Sequence, residues 1–354
     1  MTASTRGHAP SETDRPLGNP AAPTAVTYIM RKAAPGHQYF SIERLFEDVA
    51  SNLPEDMRGR IHRCRFFGRG VLRRVLIALE ASLARGDVTH VTGDIHFATI
   101  IGRRRTTVLT IHDLLVYQRC SGLKRWIYRK IWLDLSIDRA QVVTVVSEAT
   151  RADLLASCRV SPSKVRVVHN CVSPAFVHSP KPFREGCPRL LQVGTKPNKN
   201  LERLIDALTG IKCHLRIIGA TTARQRELLL DRGIEHSEVA AIDDPQMVDE
   251  YRQADIVVFM SLSEGFGLPI VEAQATGRVV VTSNHAPMTE VAGEGAIYAN
   301  PADPASIRAA VESAIRDPRR REAAIAAGTR NVKRFSAKEI ADRYASIYRE
   351  LGSR

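Results

Sequence analysis

Short runs of β-branched and other apolar residues alternate along this chain with longer amphipathic stretches. A short apolar run bounded by polar residues or glycine is typical of a buried strand, and the intervening stretches are long enough for crossover helices. The predicted strands are residues 26–30, 88–91, 107–111, 142–146, 165–168, 190–193, 215–218, 256–259 and 279–281. This alternation predicts an α/β fold with parallel sheets.

The chain of 354 residues is long enough for two domains. We predict a disordered leader at residues 1–25, rich in Pro, Ala, Ser and Thr, and a first domain at 26–172. Four prolines in 173–188 suit a linker, because they fit neither a helix nor a central strand. The second domain then spans 189–335, and 336–354 forms an amphipathic helix that we expect to pack back on the N-terminal domain.

The formal net charge is +13, but the excess is local. Residues 58–85 and 102–132 each carry eight basic residues against a single acidic one. A nucleic-acid-binding protein usually spreads its basic residues more widely, so we expect no nucleic acid partner. An anionic acceptor or an anionic membrane surface is the favoured explanation.

The cysteines and the apolar runs indicate the compartment. The six cysteines form no CxxC pair and no zinc-type Cys/His run, which is typical of reduced thiols in a cytosol. No signal-peptide pattern is present at the start, and no apolar run approaches the roughly 18 residues of a membrane span. We expect a cytoplasmic protein that at most contacts the inner face of the membrane.

A glycine-rich segment follows the predicted strand 256–259. Its glycines allow close approach of a ligand, and a proline after them suits the first turn of a helix. Free amides and the positive helix end would then bind an anion such as phosphate, with the flanking carboxylates on sugar or ribose hydroxyls. The candidates are Glu264, Gly265, Phe266, Gly267, Leu268 and Glu272. The alternative is a structural turn with a glutamate near the helix start.

A second loop follows the predicted strand 190–193. It contains Gly194, Thr195, Lys196 and Lys199 just before a helix. Lysines at a helix N-terminus oppose the helix dipole, and a bound anion would remove that conflict. Two solvated loop lysines are the alternative interpretation, and local pattern alone favours it.

In the first half, His112 follows an apolar strand and would face an interdomain cleft. A structural histidine is the alternative. Further candidates on this acceptor side are Gly36, His37, Ser41, His96 and Ser147.

Residues 71–83 form a predicted basic amphipathic helix. Its apolar positions fall on one helical face, and arginines surround them. Such a helix could lie on anionic lipid headgroups, or it could simply cover the sheet with its arginines in solvent. The pattern alone does not separate the two.

Three segments in the second half resemble the retaining glycosyltransferase group 1 family, often called family 4, which has the GT-B fold. They are Gly194–Thr195 with Lys199–Asn200–Leu201, Glu264–Gly265–Phe266–Gly267–Leu268–Pro269 with Glu272, and Thr282–Ser283–Asn284 with Glu290–Val291–Ala292–Gly293. The first half is similar more loosely, at Thr92–Gly93–Asp94, His112–Asp113 and Val146–Ser147–Glu148. The likeness is strongest to bacterial enzymes that build surface polysaccharides.

The resemblance implies two Rossmann-like domains that face each other across a cleft holding a UDP- or GDP-linked sugar. It places Glu272 on the ribose, Lys199 on the diphosphate and Glu264 with the following amides on the donor sugar and phosphate. His112 would contact the sugar from the opposite domain. It also implies transfer to a glycan or lipid-linked acceptor with retained configuration and no cofactor.

Two features of the sequence qualify this expectation. No Asp-x-Asp motif is present, so we expect transfer without a metal ion. The family's diphosphate loop usually carries an arginine near Thr195, where this chain has Lys196 in a loop one residue shorter. An epimerase or phosphorylase of the same fold, or a non-catalytic nucleic-acid-binding protein, remains the alternative.

Overall fold

The structure, a computed structural model, describes residues 22–32, 41–68, 70–84 and 86–352. The strands of the N-terminal half are β1 (Thr24–Met30), β2 (Met57–Arg63), β3 (Val88–Val91), β4 (Thr107–Ile111), β5 (Val142–Val145) and β6 (Val165–Val167). They form one parallel sheet in the order β2-β1-β3-β4-β5-β6. The helices are α1 (Ser41–Ser51), α2 (Val71–Leu83), α3 (Leu115–Arg119), α4 (Gly122–Tyr128), α5 (Ser136–Arg139) and α6 (Glu148–Ser157), with a π-helical turn at Arg129–Leu135.

The C-terminal half repeats this architecture. Its strands are β7 (Arg189–Val193), β8 (His214–Ile218), β9 (His236–Val239), β10 (Ile256–Phe259), β11 (Val279–Ser283) and β12 (Ile297–Ala299), all parallel in the order β12-β11-β10-β7-β8-β9. The helices are α7 (Leu201–Leu208), α8 (Ala223–Asp231), α9 (Asp244–Gln253), α10 (Leu268–Thr276), α11 (Met288–Ala292), α12 (Pro304–Arg316), α13 (Pro318–Asn331) and α14 (Ala337–Gly352). Short 3₁₀ turns lie at His96–Thr99, Arg104–Thr106, Pro162–Lys164, Pro197–Lys199 and Val332–Phe335.

The chain crosses twice between the two sheets. Residues 168–188 lead from β6 to β7 without a helix or strand, and α14 returns to the N-terminal sheet. There Tyr344 and Tyr348 pack with Tyr28 and Phe46, and the Tyr348 hydroxyl is 2.7 Å from Nδ1 of the buried His90. The C-terminal helix is therefore part of the N-terminal core.

The α/β prediction with two facing sheets is confirmed. All nine predicted strands are present, and each end lies within two residues of its predicted position. The prediction missed β2, β9 and β12, which are edge strands. β2 and β9 are polar and, apart from Met57, half-buried or exposed, and β12 has only three residues, so all three lack the continuous apolar run that marks an interior strand.

Candidate active site

The glycine-rich segment joins β10 to α10 at the domain interface. Gly267 precedes α10 with a φ of 110°, a conformation that favours glycine, and Pro269 lies in the first turn of the helix. The backbone amides of residues 265–268 donate to no acceptor within the residues that the structure describes. Free amides at the positive end of a helix form a binding site for an anion.

Gly265 contacts the opposite domain. A Cβ atom added to it would lie 1.9 Å from the carbonyl oxygen of His112, so no side chain fits. Its φ is not in the left-handed region, so close approach of the N-terminal domain, not backbone strain, requires the glycine. The anion-binding loop and the His112 segment therefore meet directly.

Lys199 reaches this loop from the second candidate segment. Its Nζ lies 2.7 Å from Oε1 of Glu264 and 4.7 Å from the ring centroid of Phe259. Asn198, which the sequence analysis did not single out, donates to the same Glu264 oxygen at 3.1 Å. Gly194 makes room for the lysine, because an added Cβ would be 3.0 Å from Lys199 Cγ. The two motifs thus form one site.

Glu272 lies one turn inside α10 and is 5% exposed. Its Oε2 accepts a hydrogen bond from the Tyr251 hydroxyl at 2.5 Å. The carboxylate borders an interdomain cleft that an ion pair between Arg44 and Asp244 crosses at 2.6 Å. The lining residues come from both domains and from the linker: Arg44, Leu45, Asp48, Cys171, Ser173, Ala175, Phe176, Asp244, Met247, Val248, Leu268 and Glu272.

His112 directly follows β4 on the opposite side of the interface. Its Nε2 lies 2.8 Å from the carbonyl oxygen of Thr92, so that nitrogen carries the proton and donates it. Burial lowers the pKa of His112 and raises that of the neighbouring Asp113. A neutral imidazole with its Nε2–H held in place leaves Nδ1 as a hydrogen-bond acceptor.

Further hydrogen bonds join the domains around this point. Ser147 Oγ donates to the Gly265 carbonyl at 2.7 Å, and Thr150 Oγ1 donates to it at 3.1 Å. On the other side, the Glu290 carboxylate accepts from the Glu148 amide at 3.0 and 3.1 Å. Ser147 is fully buried and also caps α6, so the structure places it in the interface instead of on an open acceptor surface.

The remaining donor-side candidates differ in exposure. Thr195 Oγ1 donates to the Ala220 carbonyl at 2.7 Å. Lys196 is exposed, and its ammonium has no partner within the described part of the chain. Phe266 is 4% exposed and packs between His169 and Phe335, so only its backbone faces the loop.

The acceptor-side candidates lie in different surroundings. Gly36 and His37 lie outside the described residues, and Ser41 is the first residue of α1. His96 is 3% exposed, and neither of its ring nitrogens has a hydrogen-bond partner among the described residues. Burial lowers its pKa to about 4, so it is neutral near pH 7.

A possible metal-ligating group lies outside the cleft. His62, Cys64 and Glu80 bring their ligand atoms within 4.8 Å of one another, and no other group of three was found among the described residues. Glu80 already accepts from His62 at 3.1 Å and from the Arg65 amide at 3.0 Å, with the Arg65 guanidinium 3.9 Å away. These contacts fasten α2 to the end of β2, and the adjacent cation opposes a metal ion.

The same fold is present in solved glycosyltransferases. Sucrose-phosphate synthase from Thermosynechococcus elongatus superposes with a TM-score of 0.71 at 18% identity, covering 93% of this chain and 99% of that one. Anabaena Alr3699/HepE, solved in complex with UDP and glucose, gives a TM-score of 0.72 at 16% identity over 92% and 100% of the two chains. This chain therefore has the GT-B fold.

Family models match both halves of the chain. One described as "Glycosyl transferases group 1" matches residues 177–331, and one described as "Glycosyltransferase Family 4" matches residues 26–176. The chain belongs to the group 1 glycosyltransferases, as its motifs predicted.

Its curated relatives include the O-antigen chain mannosyltransferase B of Escherichia coli, which is 26% identical over 274 residues (70% of this chain and 71% of the relative). Another is the O-antigen chain mannosyltransferase RfbU of Salmonella typhimurium, 25% identical over 218 residues (59% and 61%). Among the described residues, no helix is both long and apolar enough to cross a membrane.

Proposed function

We propose that this enzyme transfers a hexosyl group from a UDP- or GDP-linked sugar to a glycan or lipid-linked acceptor in the synthesis of a bacterial surface polysaccharide. The names of the E. coli and Salmonella relatives support a polysaccharide role and favour mannose as the sugar. The complexes of Anabaena Alr3699/HepE with UDP and with UDP-glucose support a nucleotide sugar in the cleft.

One observation carries the proposal: the loop whose amides at residues 265–268 are free packs through Gly265 against the His112 carbonyl of the other domain. Glycosyl transfer develops positive charge on the sugar and negative charge on the departing diphosphate. Preorganised amides and a helix end stabilise that negative charge without reorganisation during the reaction. Lys199 places its ammonium on the same side, in an ion pair with Glu264.

We further propose that the reaction needs no metal ion and retains the anomeric configuration. The loop amides, the start of α10 and Lys199 provide the charge stabilisation that an Asp-x-Asp-bound metal provides elsewhere, and the sequence lacks that motif. Retention is the expectation from family resemblance. On the opposite side, Nδ1 of the neutral His112 is available to accept a hydrogen bond from a donor-sugar hydroxyl.

Calorimetry with UDP, GDP and their sugar conjugates, in the presence of EDTA, tests the donor site. Lys199→Ala and Glu272→Gln should each weaken binding about tenfold to a hundredfold, since a hydrogen bond to a charged group contributes about 1.5–3 kcal/mol. Lys212→Ala and Glu227→Gln change exposed residues of the same domain and serve as controls. Wild-type affinity in both site variants would falsify the assignment of the donor site.

Transfer itself is tested with extracted lipid-linked glycans. We expect product formation in EDTA, and NMR of the product should show the same anomeric configuration as the donor. Conversion of the sugar nucleotide without an acceptor would instead indicate an epimerase. A product that forms only after a divalent cation is added would reject the metal-independent mechanism.

A further inference from the structure

Exposed apolar side chains are concentrated in one part of the molecule. Of the sixteen large hydrophobic residues exposed within the described ranges, thirteen lie between residues 66 and 135. They include Leu83 at 83% exposure, Leu72 at 73%, Leu123 at 72% and Trp126 at 59%. Scattered apolar residues are normal on a surface, whereas a concentration of this kind marks an interaction site.

Helix α2 shows why these residues are exposed. It buries Ile77, Ala78, Ala81 and Ser82 against the N-terminal domain. The opposite face carries Val71, Val75, Leu79 and Leu83 at intervals of four residues, together with Leu72, and all five are exposed. The apolar stripe that the sequence predicted is therefore not the face that covers the sheet.

Cation–π contacts join the elements that carry the exposed apolar residues. The Arg74 guanidinium lies 4.3 Å from the ring centroid of Trp132, which connects α2 to the π-helical turn, and Arg125 lies 4.6 Å from that of Tyr117, which connects α4 to α3. Residues 66–135 contain twelve Lys and Arg against five Asp and Glu. We call α2, α3, α4 and the π-helical turn the basic apolar surface.

We propose that the basic apolar surface docks on an anionic lipid bilayer, with its apolar side chains at the acyl boundary and its arginines and lysines among the headgroups. Both contributions to interfacial binding are present, namely buried apolar area and attraction to anionic lipid. Trp126 is suited to the membrane interface, where one end of the ring is apolar and the other meets water.

The net positive charge argues against a second copy of this chain as the occupant. A twofold interface places the same patch on both subunits, so this surface would meet its own positive charge. A bilayer that contains anionic lipid offers the opposite charge.

The surface also begins next to the site. Asp113 Oδ1 accepts from the Leu115 amide at 2.9 Å, so α3 starts immediately after the His112 segment. The inference deepens the proposed function, because a docked enzyme would have its cleft beside a lipid-linked acceptor.

Vesicle flotation with the full chain tests the docking. We expect binding to vesicles of phosphatidylcholine with 30 mol% phosphatidylglycerol at about 50 mM salt, release as salt is raised, and little binding to phosphatidylcholine alone. The chain has two tryptophans, so a blue shift that wild type shows and Trp126→Phe lacks would place Trp126 at the bilayer. Absence of wild-type binding to the anionic vesicles would overturn the inference.

Variants locate the contact. The double variant Leu72→Glu/Leu83→Glu should weaken vesicle binding at least tenfold, and Lys124→Ala should weaken it about fivefold, since each basic residue near an anionic surface contributes about 1 kcal/mol. Leu230→Glu is the matched control, because Leu230 is 74% exposed on α8 of the other domain. The assignment of the contact would be wrong if Leu230→Glu weakened vesicle binding as much as Leu72→Glu/Leu83→Glu. The assignment would also be wrong if light scattering showed a wild-type dimer that the double variant does not form, and if wild type bound no vesicles.

Sugar-nucleotide affinity, measured on the same variants, separates the two proposals. Unchanged affinity with lost vesicle binding supports the docking surface independently of transfer. Vesicle binding by a protein that binds no sugar nucleotide would reject the proposed function and leave the docking surface standing. Sugar-nucleotide binding by a protein that binds no vesicle would reject the docking surface and leave the proposed function standing.

Discussion

Glu290 joins the two domains through the N-terminus of a helix. From the C-terminal domain, its carboxylate accepts hydrogen bonds from the Glu148 amide at the start of α6 and from His169 Nε2 at 2.9 Å. Burial alone would raise its pKa, but hydrogen bonds from His169 and from the Glu148 and Ala149 amides lower the pKa overall. The carboxylate is therefore charged near neutral pH and occupies the helix N-terminus as a bound anion would.

The hydrogen bonds of Glu290 determine how strongly this contact stabilises the docked arrangement of the two domains. A hydrogen bond to a charged group contributes about 1.5–3 kcal/mol when buried, and the side chains of Glu290 and His169 are 19% and 13% exposed. Glu290 accepts two such bonds, from the Glu148 amide and from His169, which would sum to about 3–6 kcal/mol. Discounting this sum by about half for solvent exposure, Glu290→Ala should weaken the docking of the domains by about 2–3 kcal/mol. That corresponds to roughly a 30- to 150-fold change in the ratio of closed to open enzyme.

Steady-state kinetics on the purified variants measures the effect. We expect kcat of Glu290→Ala to fall at least tenfold, while calorimetric affinity for the nucleotide, which we propose is bound by the C-terminal domain, changes less than threefold. Glu290→Gln keeps an acceptor oxygen and should lose less activity. Glu294→Ala removes an exposed carboxylate four residues later and should behave as wild type. A folded Glu290→Ala enzyme with wild-type kcat would overturn the docking role.

Three further substitutions test other contacts. Gly265→Ala places a methyl group against the His112 carbonyl, so transfer should fall more than a hundredfold and small-angle scattering should show a more open molecule; normal kinetics would contradict the contact. Gly194→Ala places a Cβ against Lys199 and strains the backbone at a φ of 89°, so it should displace Lys199 and weaken nucleotide binding while the domain stays folded, as calorimetry and circular dichroism would show. Burial lowers the pKa of His90 to about 3, so below pH 6.5 only the unfolded chain takes up a proton there. In denaturant unfolding, His90 should therefore lower the free energy of unfolding by about 2 kcal/mol between pH 7 and pH 5. His90→Gln should remove that part of the pH dependence.

The sequence predicted interior strands well because their residues are apolar on both faces. Met57–Arg63 shows the limit: four of its seven residues are arginine or histidine, and only Met57 is buried. Its place in the sheet depends on pairing with β1, which no local pattern reveals. Tertiary contact decides an edge strand, whereas local composition decides a central one.

Local sequence patterns identified some residues of the candidate site and missed others. Lys199 and Glu264 were identifiable because each lies in a strand–loop–helix motif with its own local signal. Tyr251 gave no such signal, since it is an ordinary helix residue that reaches Glu272 only in the folded domain. Glu290 stood in a quoted motif, yet its docking on α6 depends on the other domain. Contacts between distant segments are what local patterns omit.

The positive charge of the chain and the glycine-rich loop have different roles in the two proposals. Lys199 is paired with Glu264, so the two side chains together add no net charge to the donor loop. A diphosphate there would be held mainly by directional amide hydrogen bonds and the start of α10, which act at short range and are weakly screened. The arginines and lysines of residues 66–135 are mostly unmatched by acid and can act on a distant charged surface. In the two proposals above, the net charge of +13 would therefore govern docking on a membrane, and the loop geometry would govern substrate binding.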